Sequence, residues 1–197
     1  MPTHPGHVPG PFQPERLYAR EEARRAEMPP EELLREFMPD DARTFVDLGC
    51  GSGYFTVAAA RTFPALHVLA LDRQHDMLEF VARRAEAEGL ANVETVLAEA
   101  PHLPLAGGSV DVLLMSHVFH DIEQREAMRD DVFRVLRPGG VFFLVEWEAV
   151  ATLAGPPLGI RIGRDELSAI LTAGGFQVER IMPGPGSSYR LQARKPA

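Results

Sequence analysis

In the stretch FVDLGCGSGYF, Phe45 to Phe55, Gly49, Gly51 and Gly53 alternate with small residues behind an apolar run and ahead of the alanine-rich TVAAA. Glycine reaches positive φ and, lacking a side chain, lets a ligand approach the backbone, so these glycines can form a floor of exposed amides. A glycine-rich turn alone also serves as a tight strand-to-helix corner. Position separates the two readings. Asp72 ends the next apolar run, close to the ~20-residue spacing at which an acidic side chain meets a ribose in nucleotide-binding folds. Its carboxylate can accept hydrogen bonds from both ribose hydroxyls. In isolation Asp72 also reads as a helix cap or a solvated charge; joined to the turn, it reads as a ribose ligand. The spacing here is G-x-G-x-G, not the G-x-G-x-x-G of pyrophosphate binders, and Asp47 lies two residues before Gly49. An acid beside the turn repels pyrophosphate and favours an ammonium group, which points away from a nicotinamide cofactor.

These residues need elements to hold them. TFVDL reads as a short buried strand and 53–63 as a helix, followed by strand HVLALD and a helix over 75–88 with Met77, Leu78, Val81 and Ala85 as its apolar stripe. VETVLAE and SVDVLLMS are further strands, 122–136 a helix ended by RPGG, and VFFLVEW the fifth strand. RDELSAILTAGG is a last helix, and FQVERIM and YRLQARK flank PGPGSS as a hairpin. Ahead of all this, PERLYAREEARRAEM reads as one charged helix, and EELLREFM places Leu33, Leu34, Phe37 and Met38 on one helical face before Pro39. Strands alternating with amphipathic helices predict an α/β fold: a doubly wound, mostly parallel seven-stranded sheet, helices on both faces, with a C-terminal antiparallel hairpin. The expected division is a flexible tail over 1–14, a helical arm over 15–40 and one domain over 41–197. In such sheets the ligand crevice lies beyond the carboxyl ends of the strands, where the strand order reverses, and the glycine turn leaves the first strand at such an end.

A formal charge of −8 over 197 residues disfavours a protein that grips nucleic acid by bulk electrostatics. Cys50, the single cysteine, supports neither a disulfide framework nor a multi-thiolate metal site. No apolar run is long enough to cross a bilayer, and the Pro- and Gly-rich start lacks the pattern of a secretory signal. The expectation is a cytoplasmic protein with no membrane span, working on a small-molecule or protein partner, with no metal and an oligomeric state that the sequence does not set.

The string VDLGCGSGYFT, Asp72 in LDRQHDML, AEAPHLPL around Glu99, DVLLMSHVFHD and VLRPGGVFFLVE covers about Phe45 to Glu146. In that order it resembles the class I S-adenosylmethionine-dependent methyltransferases, most of all the branch typified by ubiquinone and menaquinone C-methyltransferases. The resemblance implies S-adenosyl-L-methionine as cofactor. Asp47 and the backbone of Gly49, Gly51 and Gly53 would hold the methionine portion, Asp72 the ribose, and Arg73 and Met77 would flank the adenine. Glu99, where the family usually has Asp, would read the adenine edge with Ala100. Ser116 and His117 would lie near the sulfonium and the methionine ammonium. Tyr18 would close over the methionine carboxylate or simply pack.

Methyl transfer is an in-line displacement, so the protein mainly aligns the nucleophile and excludes water. A base matters where the acceptor must lose a proton. His120, after the fourth strand where the acceptor pocket of this family begins, and Glu146, at the end of the fifth, are the catalytic candidates; a hydrogen-bonded loop histidine and a solvated or capping glutamate fit the same pattern. Trp147 would wall an apolar acceptor. HVFH followed by Asp121 lacks the spacing of a metal site, and Cys50 has no base patterned beside it. The fourth strand ends in SHVFHD, not in the Asn/Asp-Pro-Pro-aromatic clamp of enzymes that methylate base amino groups, and arsenic methylation needs several thiols. The mostly uncharged stretch between Glu148 and Arg164 reads as a substrate cover. A small organic acceptor is therefore expected. The alternatives are a protein or RNA acceptor, hinted at by Arg16, Arg20, Arg24 and Arg25, and a noncatalytic S-adenosylmethionine-binding module.

Overall fold

The computed structural model describes residues 13–153 and 155–197. Residues 1–12 of the expected tail lie outside them. The first helix of the arm, α1 (Pro14–Tyr18), already begins at the buried Pro14, and α2 (Glu21–Glu27) and α3 (Pro30–Phe37) follow. The single charged helix expected over 14–28 is therefore two helices broken at Ala19 and Arg20. No apolar stripe enforces a straight helix there, and the break lets Tyr18 pack on Phe80, ring centroids 5.7 Å apart, while Glu21 faces the glycine turn.

The apolar runs become β1 (Thr44–Leu48), β2 (His67–Asp72), β3 (Val93–Leu97), β4 (Val110–Ser116) and β5 (Leu136–Trp147). Helices α4 (Tyr54–Thr62), α5 (His75–Ala87) and α6 (Arg125–Val135) join them, and α7 (Arg164–Ala173) leads into the hairpin of β6 (Gln177–Pro183) and β7 (Ser188–Arg194). One seven-stranded sheet results, in the order β3-β2-β1-β4-β5-β7-β6, with β7 antiparallel to both neighbours. This is the doubly wound architecture expected. The chain builds outward through β2 and β3, returns to the centre, and builds the other way, so the order reverses between β1 and β4.

Each central strand feeds two cores. Leu113 and Met115 of β4 join Phe142 and Leu144 of β5 on one face, covered by Met128, Val132, Leu167 and Leu171 of α6 and α7. Val112 and Leu114 join Val141, Phe143 and Val145 on the other, beneath α3 and α4, where Phe37 stacks on Phe143 at 3.9 Å between centroids. Burying one such side chain stabilises the fold by roughly 1.5–3 kcal/mol. A slip of one residue would exchange the two faces, so both cores enforce the same register. Helix α6 starts at Arg125, later than the expected Ile122, because the chain first makes a 3₁₀ turn over Phe119–Asp121 that buries Phe119 completely.

Candidate active site

The turn after β1 is built as its composition requires. Gly49, Gly51 and Gly53 all have positive φ, at 73°, 53° and 83°. The Gly49 and Cys50 amides donate to the Leu71 carbonyl at 2.7 and 3.0 Å, tethering the turn to β2. A Cβ on Gly49 would lie 2.4 Å from Val118 Cγ2, and one on Gly51 3.1 Å from Leu17 Cδ1. Asp72 accepts the Gly51 amide at 3.0 Å on one oxygen and the Gln74 amide at 2.9 Å on the other. A carboxylate has about four acceptor sites, so both oxygens retain capacity for ligand hydroxyls.

A cavity of about 1190 Å³ opens along this edge of the sheet. Gly49, Gly51 and Asp72 line it at β1 and β2, with Arg73, Met77, Glu99 and Ala100 beyond them; Ser116, His117 and His120 line it past β4. Gly53 does not reach its wall: it is the N-cap of α4, its Cβ position packed against Val81. Asp47 and Glu146 also stand behind the wall, 3% and 0% exposed. Read across the edge in strand order, Asp72, the glycine turn, Ser116–His117 and Glu146–Trp147 follow one another at strand spacings of roughly 4.8 Å. Tyr18 packs on Phe80 beneath the Arg84 guanidinium and is half exposed, so it takes the packing role of its two expected ones.

The charges are held in specific ways. Asp47 accepts the Thr56 hydroxyl at 2.6 Å, and burial pushes its carboxyl up to about 6 against the pull of Thr56 and Arg24. Arg24 of α2 donates to Ser116 Oγ at 2.9 Å, with its guanidinium 4.4 Å from the Tyr54 ring centroid, and burial lowers its pKa. Burial pushes the Cys50 thiol well up, consistent with a packing role. His117 has φ 58°, lies 5.0 Å from Trp147 between ring centroids, and its enclosed Nδ1 has no hydrogen-bond partner among the described residues. Burial lowers its pKa to about 4, so its ring is neutral near pH 7. His120 Nδ1 meets Glu146 Oε2 at 2.7 Å. Burial would lower His120 and raise Glu146, but their hydrogen bond and mutual attraction reverse both shifts.

Arg24, named from the sequence only among the basic residues that hint at a macromolecular acceptor, is a further candidate for the ligand cavity. Its one available signal was spacing: Leu17, Arg20, Arg24 and Glu27 fall on one helical stripe, and all four line the cavity. Charge disguised that stripe as a solvated face.

Backbone amides and two acids thus stand at the switch point of a doubly wound sheet, beside a separate histidine–glutamate pair, where open α/β sheets bind their ligands. Residues 46–144 match the family described as Methyltransferase domain. The chain belongs to that methyltransferase-domain family. It is 31% identical over 184 residues to an arsenite methyltransferase of Halobacterium salinarum, covering 78% of this chain and 47% of that protein. It is 36% identical over 107 residues to a malonyl-[acyl-carrier protein] O-methyltransferase of Methylococcus capsulatus, covering 54% and 38%. The chain thus spans less than half the length of either relative. A crystal structure of a SAM-dependent methyltransferase from Aquifex aeolicus superposes with a TM-score of 0.84 at 24% identity, covering 94% of this chain and all of that one.

Proposed function

We propose that this protein transfers a methyl group from S-adenosylmethionine to a small organic acceptor; the resemblance of its motif string to the quinone C-methyltransferase branch supports the class of acceptor and not the attacked atom. The carrying observation is the glycine floor set between Asp72 and the half-buried Arg24 in one cavity. Gly49 and Gly51 present backbone there, Gly53 fixes the start of α4, and Asp72 would hold the ribose. Arg73, Met77, Glu99 and Ala100 would enclose the adenine. Asp47, Ser116 and His117 would face the methionine ammonium, and Arg24 its carboxylate, because a guanidinium pairs with a planar anion through two parallel hydrogen bonds. When bound, the cofactor supplies a methyl carbon activated by positive sulfur. His120 and Glu146, next along the sheet edge, would be the catalytic pair that manages the acceptor's proton.

A protein or RNA acceptor is disfavoured because Arg20 and Arg24 line the cavity and Arg25 pairs with Glu31, leaving no continuous basic face on α2. Arsenite is disfavoured because Cys50 is buried within the glycine turn. Calorimetry with S-adenosylmethionine and S-adenosylhomocysteine tests the site, with Asp72→Ala expected to weaken both by at least tenfold. Incubation with methyl-labelled cofactor and fractionated cell extract tests the acceptor class. Label in the RNA or protein fraction would replace the small-molecule reading, and no calorimetric heat would remove the cofactor reading altogether.

A further inference from the structure

We propose that the acceptor is a weakly acidic hydroxyl, phenolic or enolic, on an uncharged and largely apolar body, and that His120 Nε2 takes its proton during transfer. This rests on the methyl-transfer reading above. The starting point is the enclosure of Glu146. Its fully buried carboxylate accepts His120 Nδ1 at 2.7 Å, the His120 amide at 3.3 Å and the Trp147 amide at 3.2 Å. An ionised carboxylate only accepts, so Nδ1 must carry a proton, and in the neutral ring the lone pair is left on Nε2. Asp121 Oδ1 stands 3.6 Å from Nε2, outside hydrogen-bond range, and His120 lines the cavity. The fold therefore fixes both the tautomer and the aim of a base, with its support on β5 and its ring on the 3₁₀ turn.

The surroundings choose the acceptor. Val118, Ile122, Trp147 and Pro156 supply apolar wall to the cavity that His120 also lines. Glu146 from β5 and Asp121 from the turn face the imidazole, opposed by Arg125 of α6, while His117 is neutral. A permanently anionic acceptor, a carboxylate or phosphate, meets like charge here. An ammonium acceptor has no lone pair until its proton has gone, so it must be deprotonated in a separate step before attack. A hydroxyl has a lone pair already and needs a base only as the bond forms. In the balanced step, an oxygen lone pair forms the O–CH3 bond and the C–S pair stays on sulfur, which loses its positive charge. The O–H proton passes to Nε2 and leaves its bonding pair on oxygen.

Two measurements test this on the full chain. Protein saturated with S-adenosylhomocysteine is titrated with 4-nitrophenol while phenolate absorbance is read between about pH 5 and 8. The bound phenol should ionise at lower pH than the free one, and His120→Asn should abolish the shift while calorimetric binding of S-adenosylhomocysteine persists. Failure of the phenol to bind, or identical titrations with and without His120, overturns the proposal. Methyl-labelled S-adenosylmethionine is then offered with phenols, benzoates and primary amines. Label should enter phenols, with kcat/KM rising with pH through the His120 ionisation and falling about 10²- to 10⁴-fold in His120→Asn. Label in benzoates or amines instead, or in none of the probes, overturns it. Cofactor binding separates the two levels: label elsewhere with binding intact rejects this inference alone, whereas absence of binding rejects the methyl-transfer reading as well.

Discussion

Asp47 is a carboxylate placed where an ionised group is costly, and that placement links the stability of the fold to pH. Burial raises its pKa to about 6 in the cofactor-free protein, with Thr56, Arg24 and Asp72 facing it. Because the folded value lies above the unfolded one, the ionised form weakens the fold above pH 6, and that cost disappears as pH falls from there toward the ordinary carboxyl value. Asp47→Asn should therefore raise the Tm of the cofactor-free protein at pH 7–8, by on the order of 1–3 kcal/mol of stability. An ammonium ligand inverts the sign. It needs the carboxylate, so the affinity of wild-type protein for S-adenosylmethionine should fall as pH drops through about 6 and flatten in Asp47→Asn, as calorimetry across pH would report. Gly49 is constrained differently. Alanine there meets both a φ of +73°, costing about 1–2 kcal/mol, and Val118 Cγ2 at 2.4 Å, costing about 1–3 kcal/mol by overpacking. Gly49→Ala should lower Tm, and adding Val118→Ala should recover only the overpacking part, leaving the backbone cost.

At the scale of elements, what the sequence revealed depended on what holds each helix down. Met77, Leu78, Val81 and Ala85 were legible as the stripe of α5 because apolar burial leaves a 3.6-residue period, and those four are its buried residues. Helix α2 buries no residue and leaves no such trace. It is held by polar contacts: Glu21 accepts Ser52 Oγ at 2.7 Å and Arg84 at 2.8 and 3.1 Å, and Arg84 also donates to the Ser52 carbonyl at 2.5 Å. Long-range ion pairs carry no period, which is why the break in the arm and the inward turn of Arg24 were not legible. The same contacts make α2 separable from the core. Glu21→Gln keeps the size of the side chain and removes its charge, and hydrogen bonds to charged groups contribute about 1.5–3 kcal/mol. S-adenosylhomocysteine should then dissociate about tenfold faster in stopped-flow displacement, and added salt should speed release from wild type more than from the variant.

Across the whole molecule, the doubly wound sheet was legible because each strand is a short apolar run closed by a turn signal, and its carboxyl edge followed from the topology. The contact between His120 and Glu146 was not. The two residues are distant in sequence and meet only because β5 lies beside β4, a pairing that the run of strands does not state. The mostly uncharged stretch after β5 stands where a cover was expected: Pro156 and Pro157 line the cavity, and the stretch's buried Arg161 donates to the Val150 carbonyl at 2.8 Å and the Pro156 carbonyl at 2.9 Å. Two kinds of attachment thus coexist in the molecule, apolar cores on both faces of the sheet and a polar clasp over the glycine-turn end of the cavity. Native-state hydrogen exchange should resolve them, since segments with few buried apolar contacts open at lower free energy than the core. Amides of α2 should exchange well before those of β1 and β4, whose residues are almost wholly buried. Ligand supplies the decisive comparison. If opening of α2 forfeits the cofactor, S-adenosylhomocysteine at 100 times its Kd should increase protection of α2 amides by about 100-fold, the equivalent of ~2.7 kcal/mol. If α2 opens while the ligand stays bound, its protection will not change, and the arm is then a bystander rather than the roof of the site.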